Sequence, residues 1–95
     1  MNKENIIKKL RNSEKELKER GVDKIGLFGS YAKQKQKKNS DIDFIVKFEY
    51  KSFENYMGLL FLLRKIFKKK IDLVIEESIK PELNYVKKEA IYVKI

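Results

Sequence analysis

Apolar residues recur at Ile6, Ile7, Leu10 and Leu17 with charges between them, so residues 3–20 are expected to form an amphipathic helix stopped by Gly21. KIGLFG then reads as a short buried strand ending at Gly29. Ser30 stands where a helix N-cap belongs, and YAKQKQ behind it supplies a turn or two of helix before the polar loop KKNS. In DIDFIVKF the pattern switches to strict alternation. Ile42, Phe44, Val46 and Phe48 share one face, and Asp41, Asp43, Ile45 and Lys47 the other.

Ser52 can cap a helix running to about Phe67, with Phe53, Tyr56, Met57, Leu60, Leu63, Ile66 and Phe67 as a wide apolar stripe. The run from Met57 to Leu63 is apolar nearly all round, which suits a contact with another subunit as well as a core. KKKIDLVIEE gives a third strand centred on Leu73, Val74 and Ile75. Pro81 opens a further helix through Tyr85 and Val86, and AIYVKI ends the sequence as a short strand or a surface tail. The predicted order is α-β-(α)-β-α-β-α. This is an α/β (α+β) layer on a small mixed sheet of about three strands with flanking helices. No repeat or linker divides it, so residues 1–95 are expected to be a single domain.

Composition narrows the chemistry. Cysteine and histidine are both absent, which removes disulfides, thiolate metal sites, a Cys nucleophile and the commonest general base. Any catalysis must run on carboxylates, hydroxyls, lysines and hard cations. The formal net charge of +9 favours an anionic partner, although a lysine-rich surface also keeps a small protein in solution. The charged N-terminus carries no signal peptide, and MGLLFLL is too short to cross a bilayer, so a cytoplasmic protein without membrane association is expected.

The aspartates carry the most specific signal. Asp41 and Asp43, two apart on a strand, would leave the same face, where like charges raise each other's pKa unless a cation lies between them. Hard oxygen ligands suit Mg²⁺, completed by substrate phosphates. A helical crossover would make the second and third strands parallel and bring Asp72 to the same end of the sheet. If the first strand runs antiparallel to the second, Gly29 and Ser30 lie there too. Gly29 would let a phosphate approach the backbone, and Ser30 with the following amides would bind it.

Gly-Ser, ten residues, then Asp-x-Asp resembles the signature of the polymerase-β-type nucleotidyltransferases. Together, LFGS, SDIDFIV, KIDLVIEE, KPEL and EAIYV resemble the minimal nucleotidyltransferase (MNT) antitoxins of HEPN–MNT toxin–antitoxin pairs, across nearly the whole chain from Lys24 to Val93. The resemblance implies that Gly29 and Ser30 bind the triphosphate and that Asp41 and Asp43 hold two Mg²⁺. Asp72 would complete the metal site or activate the attacking hydroxyl. Many relatives place an arginine after Gly-Ser; here Tyr31 stands next to the nucleotide. A basic–glycine pair reads Lys33-Gln34, so Lys33, or else Lys35 or Lys37, would supply the charge.

The implied function is transfer of AMP from ATP to a tyrosine of a cognate HEPN ribonuclease, which silences that toxin within a hetero-oligomeric complex. A non-catalytic antitoxin acting by binding alone is the alternative, favoured by Tyr31. A transferase acting on nucleic acid or an antibiotic is disfavoured by the want of a second domain. The lysines from 33 to 38 lack the interleaved aromatics of a single-strand reader, so direct nucleic-acid binding is not expected.

Overall fold

The computed structural model describes residues 1–95. The predicted first helix is present in two pieces, α1 (Lys3–Asn12) and α2 (Glu14–Glu19). Asn2 caps α1, its side chain accepting from the Asn5 amide at 2.9 Å. The break falls at Ser13, whose amide donates to the Leu10 carbonyl three residues back at 3.1 Å, a tighter turn than the α-helix allows. Ser13 is itself buried, as are Leu10 and Leu17 on either side of the break.

The sheet has four strands in the order β3-β2-β1-β4: β1 (Val22–Phe28), β2 (Ile42–Phe48), β3 (Ile71–Ile75) and β4 (Ile91–Lys94). β1 and β2 are antiparallel, while β2 and β3 are parallel and joined by α4 (Phe53–Phe67). The closing segment, open between strand and tail in the sequence, is the fourth strand. It pairs antiparallel with β1 and buries Val93. The expectation of about three strands is therefore corrected to four, because Ile91 and Val93 alternate into the core beside Leu27 and Ile25.

Ser52 caps α4 as expected, accepting from the Asn55 amide at 3.0 Å, and Lys68 in the left-handed region at φ 54° ends it. α1, α2 and α4 all pack on one face of the sheet. Ile6, Leu10, Leu17, Leu59, Leu63 and Phe67 close over Ile25, Leu27, Ile42, Phe44, Val46 and Leu73. The Phe44 and Phe67 rings meet at 5.5 Å between centroids, a tilted contact at the centre of the layer. Each such buried side chain contributes about 1.5–3 kcal/mol of transfer free energy.

The helix expected from Pro81 is reduced. Two 3₁₀ turns (Glu76–Ser78 and Pro81–Leu83) precede a short α5 (Tyr85–Glu89), separated from α3 (Gly29–Ala32) in sequence but tied to it by a Lys33–Glu89 ion pair. The Leu83 and Asn84 amides reach back only three residues, to Lys80 and Pro81. None of the residues from Glu76 to Glu89 is buried, so no apolar stripe draws this segment into a longer helix.

Candidate active site

The strand directions bring the sequence motifs to one end of the sheet. Phe28, Asp43 and Asp72 are direct cross-strand neighbours, and Gly29 follows Phe28 as the chain turns into α3. Adjacent strands lie about 4.8 Å apart, so the Asp43 and Asp72 side chains leave the same face within contact of each other. The negative charge of Asp72 at this distance disfavours ionisation of Asp43.

Gly29 has φ +72°, a region that side chains with a Cβ rarely adopt. A Cβ there would run into the Asp43 carboxylate, with Asp43 Cγ at 2.9 Å and Asp43 Cβ at 3.2 Å. The glycine therefore serves the aspartate as well as the open turn: Asp43 lies against bare backbone. Burial, first, and then the charge and hydrogen bond of Asp72 and the charge of Asp41 push the Asp43 carboxyl up to about 6. Like charges held together in this way are what a hard dication would neutralise, so the all-oxygen donor set fits Mg²⁺.

Asp41 is not on the strand, contrary to the expected pairing. β2 begins at Ile42, whose amide donates to the Lys70 carbonyl at 3.1 Å, and Asp41 occupies the turn before it. Ser40 fixes that turn, accepting from the Lys37 amide at 2.8 Å. Asp41 thus acts on Asp43 through its charge, and the three carboxylates do not converge on one metal-sized point.

Two of the expected nucleotide residues are placed otherwise than the sequence suggested. Tyr31 is only 2% exposed, its ring packed in the core beneath α3, so its side chain anchors the turn instead of facing a nucleotide. Lys33 is on the surface and pairs with Glu89 at 3.5 Å. Ser30 is half-buried at the first turn of α3 and Gly29 precedes it in the left-handed conformation. That sequence of conformations turns successive amides toward one side. The two concavities of the molecule, each about 440 Å³, flank α1 and include none of these residues. The aspartate end is an open edge.

A model of the nucleotidyltransferase domain family matches residues 7–93. The chain belongs to this family. Protein adenylyltransferase MntA of Thermococcus cleftensis is 39% identical over 82 residues, covering 83% of each chain. A solved structure assigned as a minimal nucleotidyltransferase superposes with a TM-score of 0.81 at 26% identity, over 96% of this chain and 95% of that one. A toxin–antitoxin structure solved with AMP-PNP gives 0.66 at 28% identity, over 97% of this chain and 72% of that one. The mixed sheet with helices on one face is thus the minimal nucleotidyltransferase fold.

The sequence did not single out the rest of the sheet face opposite α1, α2 and α4. Gly26, Ile45 and Val74 form the next row after Phe28, Asp43 and Asp72, and Tyr92 of β4 joins them beside Gly26. The Tyr92 ring lies so close over Gly26 that an added Cβ would sit 3.0 Å from it. The Tyr92 hydroxyl donates to Glu76 at 3.1 Å, and burial and that carboxylate push its pKa up to about 12. Alternation had already put Ile45 and Lys47 on the face of Asp43; only the fourth strand was needed to complete the surface.

Proposed function

We propose that this chain is an antitoxin nucleotidyltransferase, a single minimal domain acting in the cytoplasm. It transfers AMP from ATP to a tyrosine hydroxyl of a cognate HEPN ribonuclease toxin and thereby neutralises it. The observation that carries the reading is the in-register pair Asp43 and Asp72, with Asp43 lying against Gly29 at the turn into Ser30. Carboxylates and a phosphate-accepting turn at one open edge suit a large macromolecular acceptor. The relative named protein adenylyltransferase and the similar toxin–antitoxin chain solved with AMP-PNP support the same chemistry and partner class.

In this reading Gly29 and Ser30 seat the triphosphate. The acceptor oxygen forms a bond to the α-phosphorus, the bond to the pyrophosphate oxygen breaks, and the hydroxyl proton passes to a carboxylate, for which Asp72 is placed. Asp41 and Asp43, with Asp72, would hold two Mg²⁺, which when bound supply positive charge to the attacking and leaving oxygens. The protein contributes mainly position and electrostatics.

The test uses ATP labelled at the α-phosphate, Mg²⁺ and a cognate HEPN protein, with Asp41→Ala/Asp43→Ala in parallel. Label on the HEPN protein only with intact aspartates is expected; equal labelling by the variant would refute the assignment. Neutralisation by binding alone is the second reading. It is favoured by the inward-facing Tyr31 where an arginine would meet the phosphates, and by Lys33 being tied to Glu89. A tight complex without label would support it.

A further inference from the structure

The sheet face not covered by α1, α2 and α4 is graded along its strands. At one end stand Phe28, Asp43 and Asp72. The middle row is apolar: Gly26 and Ile45 are buried, the Tyr92 ring lying against Gly26, and Tyr92 and Val74 are the partly exposed members. At the far end Lys94, Lys24 and Lys47 are direct cross-strand neighbours on β4, β1 and β2. Like charges directly opposite each other on one face destabilise a sheet. Only Lys24 is compensated, by Glu76 at 3.5 Å and by the Tyr92 ring at 4.4 Å. Lys47 and Lys94 are exposed and make no ion pair. The regular antiparallel register that pairs Phe28 with Asp43 and Gly26 with Ile45 also sets Lys24 opposite Lys47, and the irregularity falls beyond it, between Val22 and Lys24.

We infer that this lysine row is the docking strip for an acidic patch on the protein acceptor, which it holds while the acceptor's hydroxyl lies at Asp43 and Asp72. The inference rests on the transferase reading above and names how the acceptor is recognised. Four residues of strand separate Lys47 from Asp43, about 13 Å at 3.3 Å per residue, a span within one protein interface. The order of the rows argues for a protein and against a nucleic acid. A polyphosphate chain running along the face would cross an apolar row and then meet carboxylates. A protein surface can instead offer a hydroxyl, an apolar contact for Tyr92 and Val74, and carboxylates in that order.

The experiment compares wild type with Lys47→Glu/Lys94→Glu, and with Lys47→Arg/Lys94→Arg as the charge-conserving control. The HEPN protein is the acceptor, and transfer of labelled AMP is followed at several salt concentrations. The charge reversal is expected to raise the acceptor KM about tenfold and flatten its salt dependence, with kcat and the KM for ATP unchanged. The arginine variant should behave as wild type. An unchanged acceptor KM overturns the inference, as does loss of oligoadenylate RNA binding without an acceptor effect. Calorimetric affinity for the HEPN protein is measured alongside. If wild type transfers nothing, the transferase reading fails, while an affinity lowered or unaltered by charge reversal still decides for or against the strip. Relief of lysine–lysine repulsion should leave the thermal midpoint of the reversed variant at or above wild type; Lys47→Gln/Lys94→Gln replaces it if it does not fold.

Discussion

Replacing Gly29 by alanine tests the geometry at the centre of the site. Two costs are legible in the structure. At φ +72° an alanine is strained by about 1–2 kcal/mol. Its Cβ would also meet the Asp43 carboxylate, with Asp43 Cγ at 2.9 Å, and relief requires Asp43 to leave its rotamer at about 0.5–1.5 kcal/mol. A smaller unfolded-state entropy offsets part of this. The net loss is about 2 kcal/mol, or about 8–16 °C in thermal midpoint for a domain of this size. Displacing Asp43 by about 1 Å from Asp72 should also lower transfer about 100-fold. Urea unfolding and the labelled-ATP assay read the two effects separately. Asp43→Ala isolates them further: in that background Gly29→Ala meets no carboxylate, so its stability cost should fall by about 0.5–1.5 kcal/mol. A Gly29→Ala protein as stable as wild type, or the same cost in both backgrounds, would show that the close approach of Asp43 to the turn is not what holds the site.

Other perturbations have signs fixed by the same structure. The Asp43 carboxyl is raised from 3.8 to about 6, so its contribution is fully present below the lower value and is lost as pH rises through the higher one. Metal-free Asp43→Asn should therefore melt above wild type at pH 7.5 and show no advantage near pH 3.5, with thermal scans at both values as the check. Mg²⁺ should raise the wild-type midpoint at pH 7.5 and leave Asp43→Asn unmoved; equal shifts would place the ion elsewhere. Gly26→Ala puts a Cβ 2.9 Å from Ile45 Cγ2 and 3.0 Å from the Tyr92 ring, so it should cost about 1–3 kcal/mol in chemical denaturation. An unaltered denaturation midpoint would mean that Tyr92 does not lie over that strand.

Much of this was legible because the informative residues are local. Alternation over DIDFIVKF fixes the faces of β2, and the helix between β2 and β3 fixes their parallel sense, which together bring Asp72 beside Asp43. What the sequence hides depends on contacts distant along the chain. The first helix divides at Ser13, a buried residue whose amide turns back to the Leu10 carbonyl. Tyr31 reads in the sequence as standing next to the nucleotide, but its side chain is buried in the core. Whether AIYVKI is a strand could not be settled until β1 offered it a free edge. Asp41 lies one residue outside the strand because the Ile42 amide takes the first bond to Lys70. The lysine row needs the pairing of three strands, including the closing strand β4, which periodicity does not encode.

The most direct measurement of the central claim uses ATP labelled in parallel at the α- and γ-phosphates, with this chain, Mg²⁺ and the HEPN protein. The products are separated and the HEPN protein's ribonuclease activity is assayed in the same samples. The account predicts α-label on a tyrosine of the HEPN protein, γ-label released as pyrophosphate, and ribonuclease activity falling as label accumulates. Retention of γ-label on the protein, or full silencing of the ribonuclease with neither label attached, would contradict it.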